Sequence, residues 1–126
     1  MTPISLHSDT TIAASAAAAA IDDKKGLGVV LLDVSGLLVI TDVFVIATGA
    51  SRRHVKALAE DVEEVLKESD RRPLRREGLA DGTWVLLDYG DIVVHVFDEE
   101  TRSFYDLERL WGDAPRLDFQ PTPSQA

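Results

Sequence analysis

The chain of 126 residues carries 22 acidic and 13 basic side chains, which gives a formal net charge of −9. This length fits a single domain, and 45% hydrophobic residues are enough for a core, which excludes disorder along the whole chain. The absence of cysteine excludes disulfides, thiolate zinc sites and thiol nucleophiles, and it fits a reducing compartment. Because proteins that wrap nucleic acid usually carry a basic excess, the acidic balance favours a basic partner.

The N-terminal segment is rich in alanine. Residues 12–21 form its longest apolar run, which is about half the length that a transmembrane helix needs. No basic residue precedes the run, so it does not fit a signal peptide, and we expect a cytoplasmic protein. Thr10 or Thr11 can cap a helix that continues to about Lys25, after a flexible N-terminus over residues 1–9.

Two short apolar runs follow, at residues 29–34 and 43–47. Both are rich in β-branched side chains and are bounded by glycine, which predicts buried strands that pair in one sheet. Residues 37–40 either extend the first strand or form an apolar connector.

The clearest helix begins after Ser51, whose hydroxyl can accept a hydrogen bond from an amide of the first turn. Its apolar residues recur at helical spacing in one stripe: Val55, Leu58, Ala59, Val62, Val65 and Leu66. A basic cluster beyond the helix is interrupted by Pro73 and is expected in a loop or an edge strand: Arg71, Arg72, Arg75 and Arg76. A solvated segment is the simpler interpretation, and a peripheral contact with RNA is the alternative.

The most informative segment consists of two apolar runs, residues 84–89 and 92–97, on either side of Gly90 and Asp91. A two-residue loop of this kind predicts a tight hairpin. Alternation of side chains then places six of them on one apolar face, which must belong to the core: Val85, Leu87, Tyr89, Ile92, Val94 and Val96.

The opposite face of the hairpin mixes aromatic and polar side chains. Its predicted cross-strand pairs are Trp84 with Phe97, Leu86 with His95, and Asp88 with Val93. Such a surface either packs under a helix with its polar groups satisfied or meets a partner. A structural or interface role explains His95 better than catalysis, because no Gly-x-Ser-x-Gly elbow accompanies it.

A last helix is expected to be capped near Asp98, with acidic residues in its first turn. Its apolar stripe contains Phe104, Leu107, Leu110 and Trp111. Tyr105 and Glu108 share another face of the same helix. The domain is therefore predicted to span residues 10–112, followed by a flexible tail over residues 113–126.

Four segments carry a family resemblance: residues 41–49, 51–55 and 90–97, and Arg102 with residues 105–111. Together they resemble the ribosomal silencing factor family, RsfS, also called Iojap. The resemblance implies a single-domain α/β fold of the α+β type. A mixed sheet of about five strands is flanked by helices in this architecture, which is related to that of nucleotidyltransferases.

The resemblance also implies a function without catalysis or a cofactor. Members bind the large ribosomal subunit through its fourteenth ribosomal protein, block association with the small subunit, and repress translation when nutrients are scarce. Homodimers of isolated members are also implied. The alternatives are an adaptor for large-subunit assembly and a nucleotidyltransferase-like enzyme prompted by Gly49-Ala50-Ser51. For the enzyme, the carboxylates of residues 60–64 fall in a helix instead of on a strand, so we expect no metal site.

Charge and position on the predicted faces indicate which residues are expected to bind a partner. Trp84 is the expected apolar anchor, because tryptophan often contributes a large share of the binding energy of an interface. The carboxylates and hydrogen-bonding groups that complete the set are Asp88, Asp91, Glu108, His95 and Tyr105. The alternative for Trp84 is burial under the last helix, and Trp111 is expected to close the core.

Overall fold

The computed structural model describes residues 8–117, which form one mixed sheet of six strands and four helices. In chain order the elements are α1 (Ser8–Asp23), β1 (Leu27–Asp33), β2 (Val43–Gly49), α2 (Arg52–Lys67), β3 (Arg75–Glu77), β4 (Trp84–Asp88), β5 (Ile92–Asp98), α3 (Glu99–Tyr105), α4 (Leu107–Leu110) and β6 (Arg116–Leu117). The strand order is β3-β4-β5-β2-β1-β6. The predicted mixed sheet with flanking helices is confirmed, with six strands instead of about five.

The centre of the sheet is the parallel pair β2 and β5, and all its other neighbouring strands are antiparallel. All seven residues of β2 are buried, which explains its unbroken apolar sequence, since both faces of a central strand are covered. The predicted pairing of the first two strands is confirmed. Residues 37–40 form a connector and not a strand extension, and in it Val39 is 99% exposed.

The hairpin of β4 and β5 has the predicted register, with Trp84 opposite Phe97 and Asp88 opposite Val93. The two-residue connection fixes this register, because a slip of one residue would turn the apolar side chains to the wrong face. Its predicted core face packs against α1 and α2. Tyr89 lies in that core, and burial raises the pKa of its hydroxyl to about 12.

The helices α1 and α2 pack on one face of the sheet, against the four inner strands β1, β2, β4 and β5. Ser51 caps α2 as predicted, with its Oγ accepting a hydrogen bond from the amide of His54 at 3.1 Å. The alanines of α1 that face α2 and the sheet are at most 3% exposed: Ala13, Ala14, Ala17 and Ala18. These small side chains let the helix backbone approach the core closely. In residues 8–117, no helix is both long and apolar enough to cross a membrane.

The other face of the sheet is partly covered by α3, α4 and Trp111. The single helix expected here is broken at Asp106, whose backbone is left-handed with φ at +46°. The break turns the two halves apart, so Leu107 is buried while Phe104 and Leu110 are 79% and 71% exposed. The prediction of one continuous apolar stripe is therefore wrong.

The chain after α4 returns to the sheet. The amide of Asp33 donates to the carbonyl of Pro115 at 2.8 Å, Ala114 is buried, and β6 pairs with β1. The expected flexible tail is thus wrong for residues 113–117, because main-chain pairing with β1 holds them. The remainder of that prediction, residues 118–126, and residues 1–7 lie outside the described part of the chain.

Candidate protein-binding interface

The sheet face opposite α1 and α2 carries a cluster of aromatic rings, which we call the aromatic face. It comprises Phe44, Trp84, His95, Phe97, Tyr105 and Trp111. The ring of Trp84 lies 4.9 Å from that of Phe97 and 4.7 Å from that of Tyr105, between ring centroids. Phe44 contacts His95 at 4.8 Å and Trp111 at 5.4 Å, edge to face. Trp111 packs against the buried residues beneath these rings and helps to close the core on this side of the sheet, as expected.

His95 lies inside the aromatic face and is only 5% exposed. Its Nδ1 accepts a hydrogen bond from Nε1 of Trp84 at 3.2 Å, so the neutral imidazole carries its proton on Nε2. Burial lowers the pKa of His95 to about 4, against an opposing effect of the Asp88 carboxylate. The expected hydrogen bond from His95 to a partner is therefore corrected: the ring is buried and is bonded to Trp84 instead.

Trp84 is half-buried, and Tyr105 at the end of α3 covers part of its ring. Tyr105 is itself 49% exposed. The last helix therefore shields part of the indole and leaves the rest accessible, and the role of Trp84 as an anchor for a partner stays a prediction. Of the residues nominated from the sequence, Trp84, His95 and Tyr105 are brought together.

Asp88 ends β4 at the edge of the aromatic face. Its Oδ1 accepts from the amide of Gly90 at 2.8 Å, and its Oδ2 lies 3.4 Å from Arg75. The side chain is 22% exposed and Arg75 is 61% exposed. This long, exposed ion pair leaves the carboxylate partly open to a basic side chain from outside.

Asp91 points to the other side of the sheet. It accepts a paired contact from Arg71 at 2.9 and 3.1 Å and a hydrogen bond from Thr10 at 2.7 Å. Burial opposes its ionisation, but the bonds from Arg71 and Thr10 outweigh burial and hold the pKa of Asp91 below its usual value. Asp91 therefore ties the hairpin to α1, and a contact between its carboxylate and a partner stays a prediction.

Glu108 is also committed inside the chain. It lies 3.0 Å from the guanidinium of Arg102 and 3.5 Å from that of Arg116. Arg102 is largely buried and also donates to the hydroxyl of Thr48 at 2.8 Å. This network joins α3, α4 and β2 beside an open groove of about 400 Å³. Within the chain Glu108 thus holds the break between α3 and α4, and its contact with a partner stays a prediction.

Two apolar residues predicted on one stripe of the last helix, Phe104 and Leu110, are exposed. Phe104 and Leu110 lie with Tyr105 around an open groove of about 480 Å³ at the corner between α3 and α4. Helical spacing predicted one apolar stripe, and the break at Asp106 turns these two side chains outward. Aspartate itself is the local signal that could have indicated the break, because it is favoured at helix N-caps and tolerates a left-handed backbone.

The basic cluster is largely neutralised. Its four arginines form ion pairs within the chain: Arg71 with Asp91, Arg72 with Asp70, Arg75 with Glu77, and Arg76 with Glu63. These pairs favour the solvated interpretation over a contact with RNA. In the described residues no three His, Cys, Asp or Glu side chains are grouped to hold a metal ion. At the junction before α2, the amide of Ala50 donates to Nδ1 of His54 at 2.8 Å.

Comparison with known proteins gives a consistent family. Residues 7–126 match the family model described as "Ribosomal silencing factor during starvation". A ribosomal silencing factor RsfS from Halalkalibacterium halodurans is 44% identical over 101 residues, which cover 80% of this chain and 86% of that protein. A crystal structure of a protein from Chromobacterium violaceum superimposes with a TM-score of 0.80 at 38% identity, covering 92% of this chain and 96% of that one.

A more distant relative comes from mouse and is named "Mitochondrial assembly of ribosomal large subunit protein 1". It is 36% identical over 74 residues, which cover 56% of this chain and 32% of that protein. The family model and the bacterial relative each span most of the chain, and they confirm the resemblance carried by the four sequence segments. The chain belongs to the ribosomal silencing factor family, RsfS.

Proposed function

We propose that this protein represses translation under nutrient limitation by docking on the fourteenth protein of the large ribosomal subunit and blocking association with the small subunit. The observation that carries the proposal is the incompletely covered aromatic face, where Trp84 is half-buried beside the exposed side chains of Tyr105 and Phe104. Exposed apolar surface grouped in this way is typical of a protein-binding site.

The arrangement suits an interface in two respects. The indole of Trp84 is already held in place by Phe97 and Tyr105, so that binding orders few additional groups. Tryptophan and tyrosine near the centre of an interface commonly contribute a large share of its binding energy.

Charge supports a basic partner. Residues 81–126 hold ten acidic and three basic side chains, and Asp88 borders the aromatic face with part of its carboxylate exposed. A basic ribosomal protein complements this surface, and such complementarity sets orientation and association rate more than affinity. An acidic protein can thus act on an RNA-rich particle through one of its proteins.

Repression by occupancy requires no catalytic step. A domain seated on the large subunit prevents joining if it fills space that the small subunit needs, and this action places the protein in the cytoplasm with the ribosomes. Binding and its steric consequence are therefore sufficient for the proposed activity.

Co-sedimentation with purified large subunits tests the surface. We expect Trp84→Ala and Asp88→Arg to fold normally, to bind large subunits at least about tenfold more weakly, and to lose inhibition of subunit joining. Ile12→Ala and Glu64→Arg are matched controls, because both residues are exposed on the helices of the opposite side. Unchanged binding of both test variants would place the interface elsewhere.

A second candidate function is that of an adaptor that helps the large subunit to assemble, and the name of the mouse relative favours it. This alternative also requires binding to the large subunit. It predicts that loss of the protein leaves precursor particles, and that saturating protein has no effect on joining of mature subunits. Inhibited joining of mature subunits in a gradient would favour silencing instead.

A further inference from the structure

We propose that His95 is a positioning residue for the partner interface: its Nδ1 holds the indole of Trp84 in the orientation that docking requires. This inference rests on the proposed function. It assigns to the histidine a role through Trp84 and no contact of its own with the partner.

A hydrogen bond between side chains of the neighbouring strands β4 and β5 joins Trp84 to His95. The Nε1–H of Trp84 donates to Nδ1 of His95 at 3.2 Å, with the two rings tilted by 40° and their centroids 6.0 Å apart. The other neighbours of the indole, Phe97 and Tyr105, contact it through ring faces and edges. Apolar contacts of this kind constrain where a ring lies, whereas a hydrogen bond to the single N–H of the indole also selects which way the ring is turned.

His95 itself is rigidly held. It is 5% exposed, its ring is stacked on Phe97 with an interplanar angle of 9°, and Phe44 meets it edge to face. It projects from β5, which is paired on both sides, with β2 and β4. A group on a central strand is a more exact reference point than one on a loop.

The choice of histidine has a cost that packing alone does not offset. Nε2 of His95 is buried without a hydrogen-bond partner among residues 8–117. An apolar side chain would fill the same position without an unsatisfied polar atom. A residue that breaks a local rule of core composition is expected where function requires it, and the gain here is the acceptor for Trp84.

Substitutions at His95 separate the acceptor from the bulk of the ring. His95→Asn keeps an acceptor oxygen near the position of Nδ1, whereas His95→Leu fills a similar volume without an acceptor. We expect His95→Leu to weaken binding to purified large subunits roughly tenfold, and His95→Asn to weaken it less than about threefold. This rescue by the conservative variant would not follow from loss of core packing alone.

A double-mutant cycle with Trp84→Phe provides the second measurement, because phenylalanine retains an aromatic ring but has no N–H. In that background His95→Leu and His95→Asn should bind large subunits equally. The indole N–H signal of Trp84 in a ¹⁵N-labelled protein should shift in His95→Leu and return toward the parental position in His95→Asn.

The outcomes distinguish this inference from the proposed function. If Trp84→Ala abolishes binding while His95→Leu and Trp84→Phe bind like the parent, the positioning role is refuted and the interface stands. If Trp84→Ala itself binds like the parent, the interface is refuted as well. Should His95→Leu fail to fold, parental binding by Trp84→Phe would still refute the role, since that variant removes the hydrogen bond without changing His95.

Discussion

The two faces of the sheet use apolar residues in different ways. Beneath α1 and α2 the face is closed by alanine and branched aliphatic side chains, many of them with no exposed surface. On the aromatic face, α3 and α4 have seven and four residues and cover the sheet only in part. The same strands supply both faces, because side chains alternate along them. One face is therefore buried within the domain and stabilises the fold, whereas the other retains aromatic surface that a partner can bury.

The polar groups of the two faces also differ in whether they are used within the fold or left near the surface. On the helical side the charge of Asp91 is paired with that of Arg71, and Thr10 donates a hydrogen bond to the same carboxylate, so Asp91 joins elements of the fold. On the aromatic side a neutral histidine is bonded to a tryptophan that is only partly exposed, and the carboxylate of Asp88 at the edge is only loosely paired. We therefore predict that substitutions on the face under α1 and α2 change stability, and that substitutions on the aromatic face change binding.

The largest expected effect lies in the covered core. Leu58 of α2 has no exposed surface, and Leu58→Ala should lower the free energy of unfolding by about 3 kcal/mol through lost burial and a residual cavity. Urea denaturation measures this change. Binding to large subunits should be unchanged at a temperature where the variant is folded, and a loss of binding by the folded variant would contradict the division between the faces.

A comparable effect is expected from acidification through His95. Since burial lowers its folded pKa to about 4 from 6.5, the unfolded chain binds more protons between these values, and stability falls as pH decreases through this window. The loss reaches about 3 kcal/mol at most. Urea denaturation from pH 7 to pH 4 should show a flatter dependence for His95→Leu than for the parent, and parallel curves would contradict a neutral buried imidazole.

The ion pair of Asp91 should contribute less to the free energy of unfolding. Asp91→Asn should cost about 1 kcal/mol at neutral pH, because both partners retain about a quarter of their side-chain exposure. The folded pKa of Asp91 is lowered, so its contribution is present above the pKa of the unfolded state and disappears as pH falls through the folded pKa. Thermal unfolding of both proteins at pH 7 and in strong acid measures the difference, which should vanish in acid.

The smallest effect on stability is expected at the exposed corner of the aromatic face. Phe104→Ser and Leu110→Ser should change the free energy of unfolding by no more than about 0.5 kcal/mol each, since both side chains are mostly in solvent. Their binding to large subunits should nevertheless weaken, whereas Ile12→Ser on α1 should leave it unchanged. Equal binding by all three variants would exclude the corner from the interface.

Local sequence patterns predicted the elements that local rules determine. A two-residue turn fixes the hairpin register, and the Ser51 cap with its apolar stripe defines α2. The interface was only partly predictable, because its outcome depends on contacts distant in sequence. Asp91 forms an ion pair with Arg71 and accepts a hydrogen bond from Thr10, and no residue near Asp91 in the sequence indicates either partner. Face geometry brought Trp84 and His95 together correctly, but only the packing of Phe44 and Tyr105 decides which of the two is buried.

The last two-residue strand has a consequence for synthesis of the protein. β1 is paired with β2 on one side, and within residues 8–117 its other edge is closed only by β6. Until residues 114–117 have emerged from the ribosome, the nascent sheet presents an unpaired edge, and such edges are templates for aggregation. A chain that stops after Gly112 would retain the helical core and the rings of the aromatic face, yet it would expose β1. Premature termination should therefore yield a protein that folds locally but associates into insoluble material.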